Sequence, residues 1–306
     1  MHIYLISPSG AVRDKAALRL SVKRLKQLGH AVELDLDALA TEQRFAGDDE
    51  ARLAAVARAA ASGADIVMLT RGGYGLTRML KRLPYKAIAA SIKSGTQWVG
   101  HSDFTALQMA LLAKTGACTW AGPHACVDFG RTVTDDITLA CFEDMAQGRG
   151  EGAGWKLPAA DLAHLPKKAL LAENAILWGG NLSVLCSLVG TPYLPQVQGG
   201  VLFVEDVAEH PYRVERMLTQ LLNAGVLGQQ KAIVLGSFTD YKLTPHDKGF
   251  KLQSVVDWLR TQVKTPVLTG LPFGHVETKL CLPVGKPVTL LREGREAFLL
   301  WAHPSH

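Results

Sequence analysis

Trp98-Val99-Gly100-His101-Ser102-Asp103-Phe104-Thr105-Ala106-Leu107 reads as an apolar strand stopped by a glycine, a serine at the turn, and the opening of a helix. A serine at such a junction has its hydroxyl held up at a strand-to-helix turn, with the backbone N–H groups of the first helical turn beside it. That is how a nucleophile with an oxyanion site is built. The segment is not Gly-x-Ser-x-Gly, so it does not announce an ordinary α/β-hydrolase. A serine N-cap with no chemistry accounts for the same residues. What weighs between the two readings lies further along, at Glu205 and His275.

Outward from this turn, short apolar runs alternate with amphipathic helical patterns through the first half of the chain. Strands are expected at 3–6, 31–34, 66–69 and 98–99, and helices near 14–29, 48–62, 76–82 and 103–115. Alternation of this kind argues for parallel strands with crossover helices, an α/β fold. Gly148-Arg149-Gly150-Glu151-Gly152-Ala153-Gly154 breaks the rhythm and reads as a connection between domains. Beyond it, strands at 201–204, 232–235 and 287–291 and helices at 211–223 and 251–262 form a mixed α/β half. The expected division is a domain over 1–147 carrying the serine, a linker over 148–160, and a domain over 161–306 carrying Glu205 and His275.

A chain of 306 residues with 48% hydrophobic and 20% charged residues is ordinary for packed domains and long enough for two. The formal charge of +5 is mild and its Lys and Arg are dispersed, which favours a small anionic substrate over nucleic acid. Five cysteines, odd in number and without Cys-x-x-Cys or zinc spacing, read as thiols of a reducing compartment, with no metal and no cofactor implied. The N-terminus shows no basic n-region or cleavage site, and no apolar run is long enough to span a membrane, so the expectation is a cytoplasmic protein without a membrane partner.

Three further segments carry chemistry. Arg71-Gly72-Gly73-Tyr74-Gly75 follows a strand and precedes a helix, where glycines let backbone N–H groups approach a ligand. It fails as a dinucleotide fingerprint, since Arg78 stands where the third glycine belongs, and it lacks the Gly-Lys-Ser/Thr of a P-loop. As a plain turn at a strand's end it needs no ligand. Glu205-Asp206 end an apolar strand on opposite faces by period two, and one of them needs a fixed partner. An ion pair with Arg213 or Arg216 is the structural alternative. Gly274-His275 puts an imidazole on a turn; His101, beside Ser102, is poorly directed to serve as its base.

In order along the chain, Arg71-Gly72-Gly73-Tyr74-Gly75, Gly100-His101-Ser102-Asp103-Phe104-Thr105, Gly179-Gly180-Asn181-Leu182-Ser183, Phe203-Val204-Glu205-Asp206-Val207 with Pro211-Tyr212-Arg213, and Gly274-His275 with Leu282-Pro283-Val284-Gly285 resemble the L,D-carboxypeptidase family. This group holds the muramoyltetrapeptide carboxypeptidases and the microcin C7 immunity proteins. The likeness runs from Ser7-Pro8-Ser9-Gly10 to about Leu290. Each motif is weak alone, but their order is specific.

The resemblance implies a Rossmann-like N-terminal domain with a parallel sheet and a mixed α/β, swivelling β-barrel-like C-terminal domain. It implies a Ser-Glu-His triad in which Ser102 is the nucleophile, His275 the general base and later acid, and Glu205 the carboxylate that fixes the imidazole. The amides of Gly73 and Asp103 would form the oxyanion hole. The reaction it implies is hydrolysis of the L,D-amide that releases terminal D-alanine from murein tetrapeptides, at a third residue of lysine or diaminopimelate. Gly72 with Arg71 or Arg213 would hold the substrate's carboxylate. In the immunity branch, which cleaves a peptidyl-nucleotide amide, Trp178 would stack on the base. A homodimer also comes from the resemblance. His101 departs from the aromatic or aliphatic residue expected before the serine. A non-catalytic α/β protein holding an anion on the Gly72-Gly73 loop is the reading from a different class.

Overall fold

The structure, a computed structural model, describes residues 1–301. In chain order the first elements are β1 (His2–Ile6), α1 (Lys15–Gln27), β2 (Ala31–Leu34), α2 (Asp49–Ala61), β3 (Ile66–Leu69), α3 (Leu76–Met79), α4 (Tyr85–Lys93), β4 (Gln97–Gly100), α5 (Phe104–Thr115), β5 (Thr119–Ala121) and α6 (Asp136–Ala146). There follow β6 (Gly152–Lys156), β7 (Leu170–Asn181), α7 (Leu182–Ser187), β8 (Val201–Val207), α8 (Pro211–Asn223), β9 (Ala232–Thr239), α9 (Leu252–Gln262), β10 (Val267–Leu268), β11 (Leu282–Val284), β12 (Pro287–Glu293) and β13 (Glu296–Leu300). No helix among the described residues is long and apolar enough to cross a membrane.

The described residues form two compact units, 1–150 with 277–285 and 151–276 with 286–301. In the first, a sheet runs in the order β11-β5-β4-β3-β1-β2. The five strands from β1 to β5 are parallel, and β11 joins β5 antiparallel at the edge. Ile3, Leu5, Met68 and Val99 from its strands pack with Phe129 and Phe142 in a fully buried cluster. Helix starts are legible in the chain: Asp14 accepts from the amides of Ala16 and Ala17, and Asp48 from that of Ala51. The 76–82 pattern is shorter than expected, ending at Met79, and a separate α4 begins after Pro84.

In such a sheet, ligands bind outside the carboxyl ends of the strands, where the strand order reverses. Here the reversal falls between β1 and β3. The loops that leave these ends are Ser7–Gly10, Arg71–Gly75, His101–Asp103 and Gly122–His124, so four segments far apart in sequence meet at one end of the sheet.

The second unit is built on a seven-stranded sheet ordered β10-β9-β8-β7-β12-β13-β6. Strands β7 to β10 are parallel, and β12, β13 and β6 continue antiparallel. Its interior holds Trp178, Leu202, Phe203 and Phe273, the last two in an edge-to-face pair with centroids 5.4 Å apart.

Two expectations are corrected. The glycine-rich 148–160 is not a plain linker, because 152–156 is strand β6, paired with β13. Its glycines are spacing devices: a Cβ on Gly152 would fall 2.7 Å from Leu300 Cδ2 and 2.8 Å from the Leu299 carbonyl, and one on Gly154 3.1 Å from the Phe298 ring. Nor does the chain divide at a single point. Residues 277–285 return to the first unit, where Leu282–Val284 pairs with Thr119–Ala121.

Candidate active site

Ser102 does not cap its helix. Asp103 stands at the N-cap of α5 with no side-chain capping bond, while Ser102 holds φ +61°. A non-glycine residue there costs energy, and such strain persists where the surroundings over-determine it. The surroundings do so here. The Ser102 carbonyl accepts from the Thr105 amide at 2.9 Å and the His101 carbonyl from that of Phe104 at 3.2 Å. A Cβ on Gly72 would lie 2.7 Å from both Cβ and Oγ of Ser102, so only glycine lets that loop run against the serine. Gly73, at φ +123°, and Gly75, at φ +143°, carry the backbone on through conformations that side chains resist.

The Asp103 carboxylate ties these loops together. It is buried and accepts from Ser9 Oγ at 2.7 Å and from the Leu76 amide at 2.9 Å. Burial pushes its carboxyl up from the ordinary value, against those two bonds. The loops after β1, β3 and β4 are thereby joined at one side chain. Arg71, half-buried, donates Nη1 to the Ala11 carbonyl at 3.0 Å. Its pKa is lowered by burial and then by the neighbouring guanidiniums of Arg13 and Arg44.

In the second unit, Glu205 is fully buried at the carboxyl end of β8. His275 Nδ1 lies 2.8 Å from its Oε2, and Asn181 Nδ2 donates to its Oε1 at 3.2 Å. A carboxylate on Nδ1 puts the ring proton there and the lone pair on Nε2. The His275 side chain keeps 24% of its surface. Glycines allow this closure: a Cβ on Gly274, at φ +131°, would sit 3.0 Å from Glu205 Oε2, and one on Gly236 2.6 Å from the Phe273 carbonyl. The arrangement supplies an oriented imidazole, and the first unit a strained serine beside glycine amides.

Asp206 is not strictly opposite Glu205. A register shift between Val204 and Asp206 breaks the period of two, and Asn181 Nδ2 reaches Asp206 Oδ1 at 2.9 Å as well as Glu205. Asp206 also accepts from the amides of Ser183 and Val207, each at 2.9 Å. Arg213 pairs with Glu209 instead of either carboxylate, and among the described residues no ion pair joins Arg216 to Glu205 or Asp206, so neither partner of the ion-pair alternative is in place. Trp178 is corrected too. It is 1% exposed, with its indole N–H donated to Gln230 Oε1 at 2.9 Å, and is a core residue with no face for a ligand.

His101 turns away into the fold and is 2% exposed. Sequence reasoning missed Ser9, His124, Asn181, Asp128 and Lys279 as residues that hold the site together. Only Asn181 carried a local signal, as the N-cap of α7 through the Val184 amide.

Family comparison places these motifs. The description LD-carboxypeptidase N-terminal domain matches residues 3–122, and LD-carboxypeptidase C-terminal domain matches residues 174–290. The chain belongs to the LD-carboxypeptidase family. Among solved structures, the muramoyltetrapeptide carboxypeptidase of Oxalobacter formigenes is similar at 39% identity and a TM-score of 0.88, with 100% of both chains covered. A probable murein peptide carboxypeptidase of Bacillus subtilis is 30% identical over 89% of this chain and 83% of its own. The microcin C7 self-immunity protein of Escherichia coli is 29% identical over 72% of this chain and 69% of its own.

Proposed function

We propose that this LD-carboxypeptidase is a serine peptidase that hydrolyses the L,D-amide before the terminal D-alanine of murein tetrapeptides. The observation that carries the reading is the buried Glu205 bound to His275 Nδ1, which leaves a base at Nε2, in a chain whose Ser102 is held at positive φ against Gly72. His275 takes the Ser102 proton as Oγ attacks the amide carbonyl. The amides of Gly73 and Asp103 receive the developing oxyanion. Collapse expels D-alanine with the proton from His275, and water then cleaves the acyl-enzyme by the same base. No metal or cofactor enters these steps. Arg71 and Gly72 serve the substrate's carboxylate; Arg213, already neutralised by Glu209, is the weaker candidate.

The immunity-type alternative, hydrolysis of a peptidyl-nucleotide amide, is supported by the E. coli relative but loses its stacking residue with Trp178 in the core. A non-catalytic anion binder has no use for the Glu205–His275 pair. All five cysteines are free thiols, which supports a reducing cytoplasm; the homodimer rests on the resemblance. Incubation with murein tetrapeptides and with an aminoacyl-nucleotide conjugate, read by mass spectrometry, tests the substrate: the tetrapeptide should lose one alanine. Ser102→Ala should lower kcat by at least about a thousandfold without moving the melting temperature. Near-native turnover in that variant refutes the nucleophile.

A further inference from the structure

His101 is held from two directions, both from the loop after β5. Its Nδ1 donates to the Gly122 carbonyl at 2.8 Å, and its backbone N–H donates to His124 Nε2 at 3.1 Å. The two rings stack with centroids 3.8 Å apart and planes at 18°, both almost wholly buried. An acceptor at Nε2 puts the His124 proton on Nδ1. His124 is itself anchored, since its amide donates to Asp128 Oδ2 at 2.7 Å and its carbonyl accepts from the Asp128 amide at 3.0 Å. Asp128 Oδ1 takes Lys279 Nζ at 2.5 Å. The same imidazole lies 3.4 Å, through Cε1, from where a Cβ on Gly72 would stand. It therefore borders both the glycine and the peptide that precede and flank the strained serine.

We propose that His124 is a positioning residue for the nucleophile: by accepting the His101 N–H it fixes the Gly100–His101 peptide, one residue ahead of Ser102, and keeps the serine in its left-handed conformation. The assignment rests on Ser102 being the nucleophile. A ring needed only for packing contributes volume, whereas this role needs an acceptor atom at one place. Leucine keeps comparable bulk without the acceptor, while glutamine brings Oε1 to about the reach of Nε2.

The test compares wild type, His124→Leu and His124→Gln by thermal unfolding, by the rate of Ser102 labelling with a fluorophosphonate, and by kcat and KM on a murein tetrapeptide. His124→Leu should slow labelling and kcat by at least about tenfold with KM changed less than about threefold, and His124→Gln should recover most of the loss. Labelling of folded His124→Leu at the wild-type rate overturns the role, as does folded His124→Gln reacting as slowly as the leucine variant. Should His124→Leu not fold, wild-type protein labelled with 15N-histidine decides: an unprotonated His124 Nε2 supports the role, and a protonated one overturns it. Absence of labelling in the wild type would instead remove the nucleophile assignment, and this role with it.

Discussion

Asp206 accepts three hydrogen bonds and is still pushed up to about 6 by burial and, less strongly, by the adjacent Glu205. Unfolded, the same carboxyl titrates at the ordinary 3.8, so the fold holds its proton more tightly than the free chain does. That stabilisation is complete below about 3.8 and is lost as pH rises through about 6; at neutral pH the ionised form is roughly 3 kcal/mol less favourable than in the unfolded chain. Asp206→Asn removes the titration. Its melting temperature should therefore gain on the wild type as pH climbs from 4 to 7, and a constant difference across that range refutes the account. Glu205→Gln should behave differently, lowering kcat by about 10³–10⁴ through the wrong His275 tautomer, with a smaller effect on melting. Equal, mild losses of turnover in both variants would make the Glu205–His275 pair structural. Ser102, Glu205 and His275 stand out in the sequence as candidates because each sits at the end of an apolar run or beside a turn glycine. His124, Asp128 and Lys279 were not, since the bond between residues 128 and 279 exists only once the fold has formed.

Elements whose hydrophobic pattern is local came out close to expectation: β2 and β3 at the residues anticipated, α8 over Pro211–Asn223, α9 within one residue of 251–262. The failures share a cause. Strand β6 and the carboxyl end of β7 are rich in glycine, which lowers strand propensity but is demanded by neighbours that no sequence window contains. Gly179 is the extreme case, because a Cβ there would fall 1.9 Å from the Phe203 carbonyl, its register partner on β8, at φ +124°. Gly179→Ala should thus prise β7 from β8 and cost on the order of 3–5 kcal/mol. Gly190, at φ +80° with nothing within 4 Å of its Cβ position, should cost only about 1–2 kcal/mol as alanine. Urea unfolding of the two variants reads the difference, and similar losses would show that backbone conformation alone, not the carbonyl contact, sets the penalty.

At the scale of the whole molecule, a cut near residue 147 leaves the first unit incomplete. A chain of 1–150 lacks Lys279 and β11, so Asp128 keeps a buried carboxylate without its ammonium and β5 keeps an open edge. Breaking such a pair costs about 3–5 kcal/mol, a large share of the roughly 5–15 kcal/mol that stabilises a domain. The 1–150 fragment should be unfolded or loosely packed, whereas 1–150 joined through a flexible Gly/Ser linker to 277–285 should give dispersed amide resonances and a cooperative melt. Identical melts for the two chains would mean the returning segment contributes nothing.

The same return sets a timetable for synthesis. When the ribosome has delivered Gly150, nearly all of the first sheet exists, yet Lys279 and the strand that closes its edge are still about 135 residues away from Gly150 to the end of the segment at Gly285. At about 5–20 residues per second this is a wait of roughly 7–27 s. During it, Asp128 has no ammonium and the Thr119–Ala121 edge is bare, while the nascent chain is already adding β6 to β10. The first unit to emerge thus waits for residues 277–285, made just ahead of the second unit's own β12 and β13, and its Ser102 turn acquires its full support only once Gly285 has been added.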